Sequence, residues 1–158
     1  FPDQLAYIAN HAEDRVLLYD RAFTPLVDAL MPQWNTIEHY ICFEDEFADW
    51  IGSQDDDYAW VEGDERDPCG LCYTSGTTGN PKGVQYEHRS TILHAMAEVA
   101  PDVFDLSARS VVLPIVPMFH ANAWGVPWAA PLTGCKLVLS ADYRPAQMCE
   151  LFRSEGVT

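Results

Sequence analysis

Residues Tyr73 to Val84 read Tyr-Thr-Ser-Gly-Thr-Thr-Gly-Asn-Pro-Lys-Gly-Val, placing four Ser/Thr hydroxyls, three glycines and one lysine within twelve residues. Glycine leaves the backbone bare and free to take positive φ, so successive N–H groups can turn onto an anion while the hydroxyls add donors. Such a stretch fits a polyphosphate. The apolar residues Leu71 to Tyr73 predict a strand before it, Val84 to Tyr86 a strand after it, and helical spacing begins near Arg89. The loop therefore joins strand to strand. The P-loop of NTPases needs G-x-x-x-x-G-K-[ST] running into a helix. Counting from Gly76, the sixth residue here is Pro81, Lys82 is followed by Gly83, and Val84 continues as strand. The kinase pattern G-x-G-x-x-G is missing too. A plain Gly/Ser/Thr surface turn shares the composition, but it does not call for this order of residues between two apolar strands.

The rest of the chain alternates strand and helix. A helical lead (Leu5, Ile8, Ala9) precedes the apolar run Val16 to Tyr19, the pattern of a strand buried on both faces. Thr24 is the expected N-cap of a helix with Pro25 at its first position and Phe23, Leu26, Val27, Leu30 and Met31 on one face. Ile37 to Phe43 is a second strand, and Phe47, Trp50 and Ile51 form a short helical turn. Beyond the loop, a helix carries Ile92, Met96 and Val99 on one face with Leu93 beside them, and Pro101 follows its stop. Ser110 to Val116 and Lys136 to Leu139 are strands. Trp124 to Leu132 is a buried helix despite Pro127, and Pro145 to Glu155 is a helix with Met148, Leu151 and Phe152 inward, stopped by Gly156. Repeated β–α units predict an α/β fold with a mostly parallel sheet and helices on both faces, and ligands beyond the carboxyl ends of the strands.

At 158 residues the chain is expected to form a single α/β unit over 1–158, with an acidic linker at 44–68 and the phosphate-binding loop at 73–84. Net charge is −15, from 9 basic and 24 acidic side chains, which disfavours binding to nucleic acid or anionic lipid. An anionic ligand must be held locally. Eleven of the acids fall between Glu44 and Asp67, where Arg66 is the one basic residue, and the segment reads as solvated. Its Asp55-Asp56-Asp57 run lacks the spacing and central glycine of a calcium loop. No tract is long and apolar enough for a transmembrane segment. The odd count of five cysteines argues against a disulfide-stapled secreted fold and for a cytoplasmic setting. Cys69-Gly-Leu-Cys72 has no second pair of ligands for zinc, and the two cysteines are expected as small core residues. The start at Phe1-Pro2-Asp3 and the end at Glu155-Gly156-Val157-Thr158 both suggest a piece of a longer chain.

A second constellation follows the strand near residue 112, where Pro114-Ile-Val-Pro-Met-Phe-His120-Ala-Asn122-Ala-Trp124 places His, Asn and Trp in the turn after a strand. That is where a ligand would be met. A capping histidine and a core tryptophan are the alternatives to a site.

The ordered loop resembles the phosphate-binding signature of the adenylate-forming, AMP-binding enzymes, a superfamily of acyl-CoA synthetases, peptide-synthetase adenylation domains and firefly-type luciferases. The Pro117-Met-Phe-His120 run with Trp124 four residues on is similar to the fatty acyl-CoA synthetase branch. The resemblance runs weakly before Cys69 and strongly from there to Thr158, and His88-Arg89 also matches, though a role at a helix start explains it equally. It implies a partial N-terminal domain of a ligase that uses ATP, Mg2+ and coenzyme A to convert a fatty or other carboxylic acid into acyl-AMP and then acyl-CoA. It further implies that Thr74 contacts magnesium, that Ser75, Gly76, Thr77, Thr78 and Gly79 hold the β- and γ-phosphates, and that Lys82 follows pyrophosphate as a catalytic cation. His120 would line the acyl-adenylate site and Trp124 would gate the acyl tunnel. The later Tyr-Gly-x-Thr-Glu motif of the family does not occur in these residues, so the isolated 158 residues are expected to be inactive. A homodimer is compatible with the resemblance. An adenylation domain, a luciferase-like enzyme and a nucleotide-binding module without chemistry stay open, and so does acyl length, from a short thioether acid to a long fatty acid.

Overall fold

The computed structural model describes residues 1–74 and 79–158. The chain divides into two compact units, one made of Phe1–Glu62 with Tyr73–Gly83, the other of Gly63–Cys72 with Val84–Thr158.

In the first unit, α1 (Pro2–Ala12) starts with proline in its first turn and ends at Glu13, whose left-handed φ of 57° lets its N–H reach the Ala9 and Asn10 carbonyls. β1 (Val16–Tyr19) lies parallel to β2 (His39–Cys42), with Val16 opposite His39 and Tyr19 opposite Cys42. Between them runs α2 (Thr24–Leu30). Parallel neighbours need a crossover of this kind, so β1, α2 and β2 form one β–α–β unit. Thr24 does not cap α2. Asp20 instead accepts from the Ala22 N–H at 2.8 Å and starts a 3-10 turn, Arg21–Phe23, that runs straight into the helix. The helical path thus begins before Thr24, whose hydroxyl is no longer at the open end. α3 (Phe47–Gly52) follows β2. The core gathers Ala6 and Ala9 of α1 with Val27 and Leu30 of α2, and Leu30 is 1% exposed. β1 is not buried on both faces as the continuous apolar run predicts, because Val16 and Leu18 stay exposed while Leu17 and Tyr19 are half-buried.

β3 (Pro68–Thr74) pairs with β4 (Lys82–Glu87) in a sheet of their own. The second unit continues with α4 (His88–Glu98), whose N-cap Glu87 and Ser90 make a reciprocal capping box. The acidic segment is exposed through residues 51–68, but it is not wholly a free linker. The Arg89 N–H donates to the Glu65 carbonyl at 2.7 Å and the Arg89 side chain pairs with Glu65, while the His88 N–H donates to the Asp67 carbonyl at 3.2 Å. Its other end is tied within the first unit by the Arg21–Asp45 ion pair. His88 and Arg89 thus have a helix-start role.

β5 (Val111–Val112) and β6 (Lys136–Leu137) are parallel, with Val111 opposite Lys136, and α5 (Val126–Thr133) crosses between them as a second β–α–β unit. β5 is shorter than the Ser110–Val116 strand the sequence predicts, since Pro114 and Pro117 have no N–H to give a ladder. Pro127 lies in the first turn of α5, where a missing N–H costs nothing. Leu113, Val138 and Met148 of α6 (Pro145–Ser154) form a core cluster joined by Val111, Leu151 and Val157. Gly156, at φ 66°, then turns the chain so that the Thr158 N–H donates to the Val111 carbonyl at 3.0 Å. The α/β class holds, with its described strands arranged as three pairs, two of them parallel.

Candidate functional site

Of the phosphate-loop candidates, Ser75, Gly76, Thr77 and Thr78 lie outside the described residues. Thr74 is the exposed last residue of β3 and Lys82 the exposed first residue of β4. Gly79 takes φ 86°, a conformation that a side chain would strain. Thr74, Gly79 and Lys82 belong to the first unit. Lys82 makes no ion pair among the described residues. Behind Thr74, the Tyr73 hydroxyl lies 2.6 Å from His11 Nδ1 of α1, and burial pushes the Tyr73 phenol above its ordinary pKa.

His120 and Trp124 belong to the second unit. The Pro-Met-Phe-His run leaves β5, and the buried Cys72 thiol of β3 donates to the Phe119 carbonyl at 3.4 Å. Cys69 finds a different partner, the Thr91 hydroxyl at 3.2 Å. The exposed His120 is followed by Ala121, Asn122, Ala123 and Trp124 with φ of 45°, 53°, 50° and 58°, and then by Gly125 at 89°. Five successive residues thus form a left-handed turn. Each non-glycine in that region costs about 1–2 kcal/mol, so surrounding contacts must hold the turn in place. Trp124, predicted as the start of a buried helix, lies in this turn instead and is 49% exposed. The helix starts after Gly125.

What holds the turn is α4. His94 Nε2 lies 2.9 Å from the Trp124 carbonyl oxygen, and since a carbonyl only accepts, Nε2 carries the proton. The same nitrogen lies 3.3 Å from Glu98 Oε1 one helical turn on, and Glu98 is 3% exposed with Oε2 unpartnered. Burial pushes the Glu98 carboxyl above its ordinary pKa, and His94 beside it offsets part of that. Gly125 makes the approach close, since a Cβ there would stand 2.5 Å from His94 Cδ2 and 3.0 Å from Glu98 Oε2.

A cavity of ≈ 360 Å³ opens against the turn, walled by Trp124 and Trp128 on one side and by Tyr86, Ser90, Thr91 and His94 on the other. A second cavity of ≈ 430 Å³ lies among Leu113, Ile115, Val126 and Phe152, and Trp124 borders both. His94, Glu98 and Trp128 are absent from the sequence-predicted site. The available signal was the histidine and glutamate four apart on one helix, ordinarily a solvated pair.

The AMP-binding enzyme family matches residues 1–158. The chain is 43% identical over 172 residues to a medium-chain-fatty-acid–CoA ligase of Ectopseudomonas oleovorans, covering 100% of this chain and 32% of that one. It is 47% identical over 152 residues to a 3-methylmercaptopropionyl-CoA ligase of Ruegeria pomeroyi, covering 88% of this chain and 28% of that one. An inhibitor-bound crystal structure of the N-terminal domain of FACL13 from Mycobacterium tuberculosis superposes with a TM-score of 0.84 at 27% identity, over 99% of this chain and 39% of that chain. The chain spans about a third of the length of the curated relatives it matches. On the match along its whole length, this chain belongs to the AMP-binding enzyme family.

Proposed function

We propose that these residues are part of the N-terminal domain of an AMP-forming acid–CoA ligase acting on fatty or related carboxylic acids. The observation that carries this reading is the cavity at the Trp124 turn, whose ≈ 360 Å³ and aromatic walls suit an acyl group and fall within the ~300–1,000 Å³ usual for small-molecule sites. The relatives named as acid–CoA ligases, at 43% and 47% identity, support it.

In the reaction, a carboxylate oxygen attacks the α-phosphorus of ATP, the bond to the β-phosphate oxygen breaks, and pyrophosphate leaves with the electron pair. The coenzyme A thiolate then attacks the acyl carbon, and the carbon–oxygen bond to AMP breaks. The first step brings an anion onto a polyanion, so fixed donors and cations must offset the charge. Ser75 to Gly79 supply backbone N–H groups and hydroxyls to the β- and γ-phosphates, and Lys82, exposed at the start of β4, follows the leaving pyrophosphate. The Thr74 hydroxyl, exposed at the end of β3, is the hard oxygen that Mg2+ prefers. Mg2+ supplies charge neutralisation on the phosphates when bound. His120 borders the acyl-adenylate and Trp124 sets access to the acyl cavity. Among the described residues no helix is long and apolar enough to cross a membrane. The free thiols of Cys42, Cys69, Cys72, Cys135 and Cys149 suit a reducing cytoplasm.

Pyrophosphate release by the complete protein, screened across carboxylic acids of graded length, tests the reading. Release dependent on both acid and ATP is expected, with acyl-CoA formed when coenzyme A is added. ATP turnover that ignores every acid would refute it.

A further inference from the structure

Two features of the second unit are not explained by the ligase reading: a glutamate buried inside a helix interface with one oxygen unpartnered, and a left-handed turn built from four residues that are not glycine. They meet at one place, where His94 joins them by donating to the Trp124 carbonyl while facing Glu98 Oε1. A helix packed on a loop through apolar side chains alone would need neither group. Moreover, Ile92, Leu93 and Met96 of the same helix are 53%, 53% and 56% exposed, while Ala95 and Glu98 are the residues of α4 that are buried. The carbonyl that His94 meets belongs to the residue that borders both cavities.

We propose that His94 and Glu98 are positioning residues that latch the Trp124 turn, fixing the indole between the two cavities and thereby setting which acid lengths are accepted. The acid-length part rests on the ligase reading; the latch itself does not. Glu98 backs His94, since its Oε1 lies 3.3 Å from the same ring nitrogen that meets the Trp124 carbonyl, a second acceptor that favours keeping that nitrogen turned toward the loop. His94 lines the first cavity itself, so its removal also enlarges the space next to the indole.

The test uses the complete protein labelled with 5-fluorotryptophan, with the Trp124 fluorine resonance assigned by its loss in Trp124→Phe. In His94→Ala that resonance is expected to shift or broaden, and in His94→Gln, whose amide nitrogen can still donate at similar reach, to return to its parent position. If it stays in place in His94→Ala, the latch is refuted. Glu98→Gln keeps the side-chain size and carries the same test if His94→Ala does not fold: a moved resonance supports the latch and an unmoved one overturns it. In parallel, kcat/KM is compared across acids. His94→Ala should alter the ratio between the best acid and one two carbons longer by about fivefold or more, against the ~10–200-fold that one methylene is worth in an apolar pocket. The KM for ATP should be unchanged, and His94→Gln should restore the ratio. An equal loss for every acid would overturn the specificity role. If no acid supports pyrophosphate release by the parent protein, the ligase reading fails while the fluorine resonance still decides the latch.

Discussion

His11 Nδ1 and the Tyr73 hydroxyl lie 2.6 Å apart across 62 positions of sequence, with their rings edge to face at 5.8 Å and 82°. The contact ties α1 to the residue that precedes Thr74, so the end of β3 is anchored from outside its own sheet. Tyr73→Phe keeps the ring pair and removes the hydrogen bond, and it should lower stability by about 1 kcal/mol. His11→Ala removes both and should cost roughly 1–2 kcal/mol, taking the bond and the ring pair together. Denaturant unfolding of the two variants checks the order. Equal costs would show that the ring pair contributes nothing.

Trp124→Ala and Lys82→Ala should fail in opposite ways. Trp124 borders two cavities, the first of them with aromatic walls that suit an acyl group, so its loss should change which acids are accepted while leaving ATP use alone. Lys82 is an exposed cation at the start of β4, and its removal should lower kcat for every acid alike by about 10²–10³, the range seen when one preorganised charge-stabilising donor is lost. Adenylate formation over acids of graded length separates them. A common factor for all acids in Trp124→Ala would return that residue to core packing.

Gly125→Ala should be costly at one methyl group. Its φ of 89° disfavours any Cβ, and that Cβ would also stand 2.5 Å from the His94 ring. A loss of roughly 1–3 kcal/mol is expected from the backbone conformation. Because the half-exposed His94 ring can escape by swinging out, acid selectivity should change as well. Thermal unfolding and the acid-length profile are measured on the same preparation, and an unaltered melting temperature would contradict the strain.

The Glu98 carboxyl makes stability depend on pH in a defined direction. Burial raises its pKa in the folded chain, so the folded state binds the proton more tightly than the unfolded chain does. Its contribution is full below the ordinary carboxylate pKa and is lost as pH rises through the raised value. Glu98→Gln, uncharged at every pH, should therefore gain stability relative to the parent as pH rises from acid to neutral. Urea unfolding across that window gives the difference, and one that shrank with rising pH would mean the carboxylate is held charged.

The 158 residues expressed alone should form no acyl-CoA, since they correspond to 28–32% of the ligases they match. Thioester assay of the isolated polypeptide, with the complete protein as control, decides it.

The sequence by itself determined what is local. The strands β3 and β4 on either side of the loop, and the helices α1 and α6, could be read because propensity, proline at the helix starts and Gly156 act within a few residues. The His-x-x-x-Trp spacing pointed to the second constellation for the same reason. Tertiary structure decided the rest. Periodicity finds the Ile92–Met96 stripe of α4 but not which face turns inward, and here the small Ala95 and the buried Glu98 face in while the stripe faces out. Nor does any propensity rule put Ala121, Asn122, Ala123 and Trp124 in the left-handed region. That conformation is unfavourable for each residue alone. It is held by contacts made across the fold, among them the hydrogen bond from His94, thirty positions earlier in the chain, to the Trp124 carbonyl, and a bond between residues so distant in sequence forms only once the helix has packed.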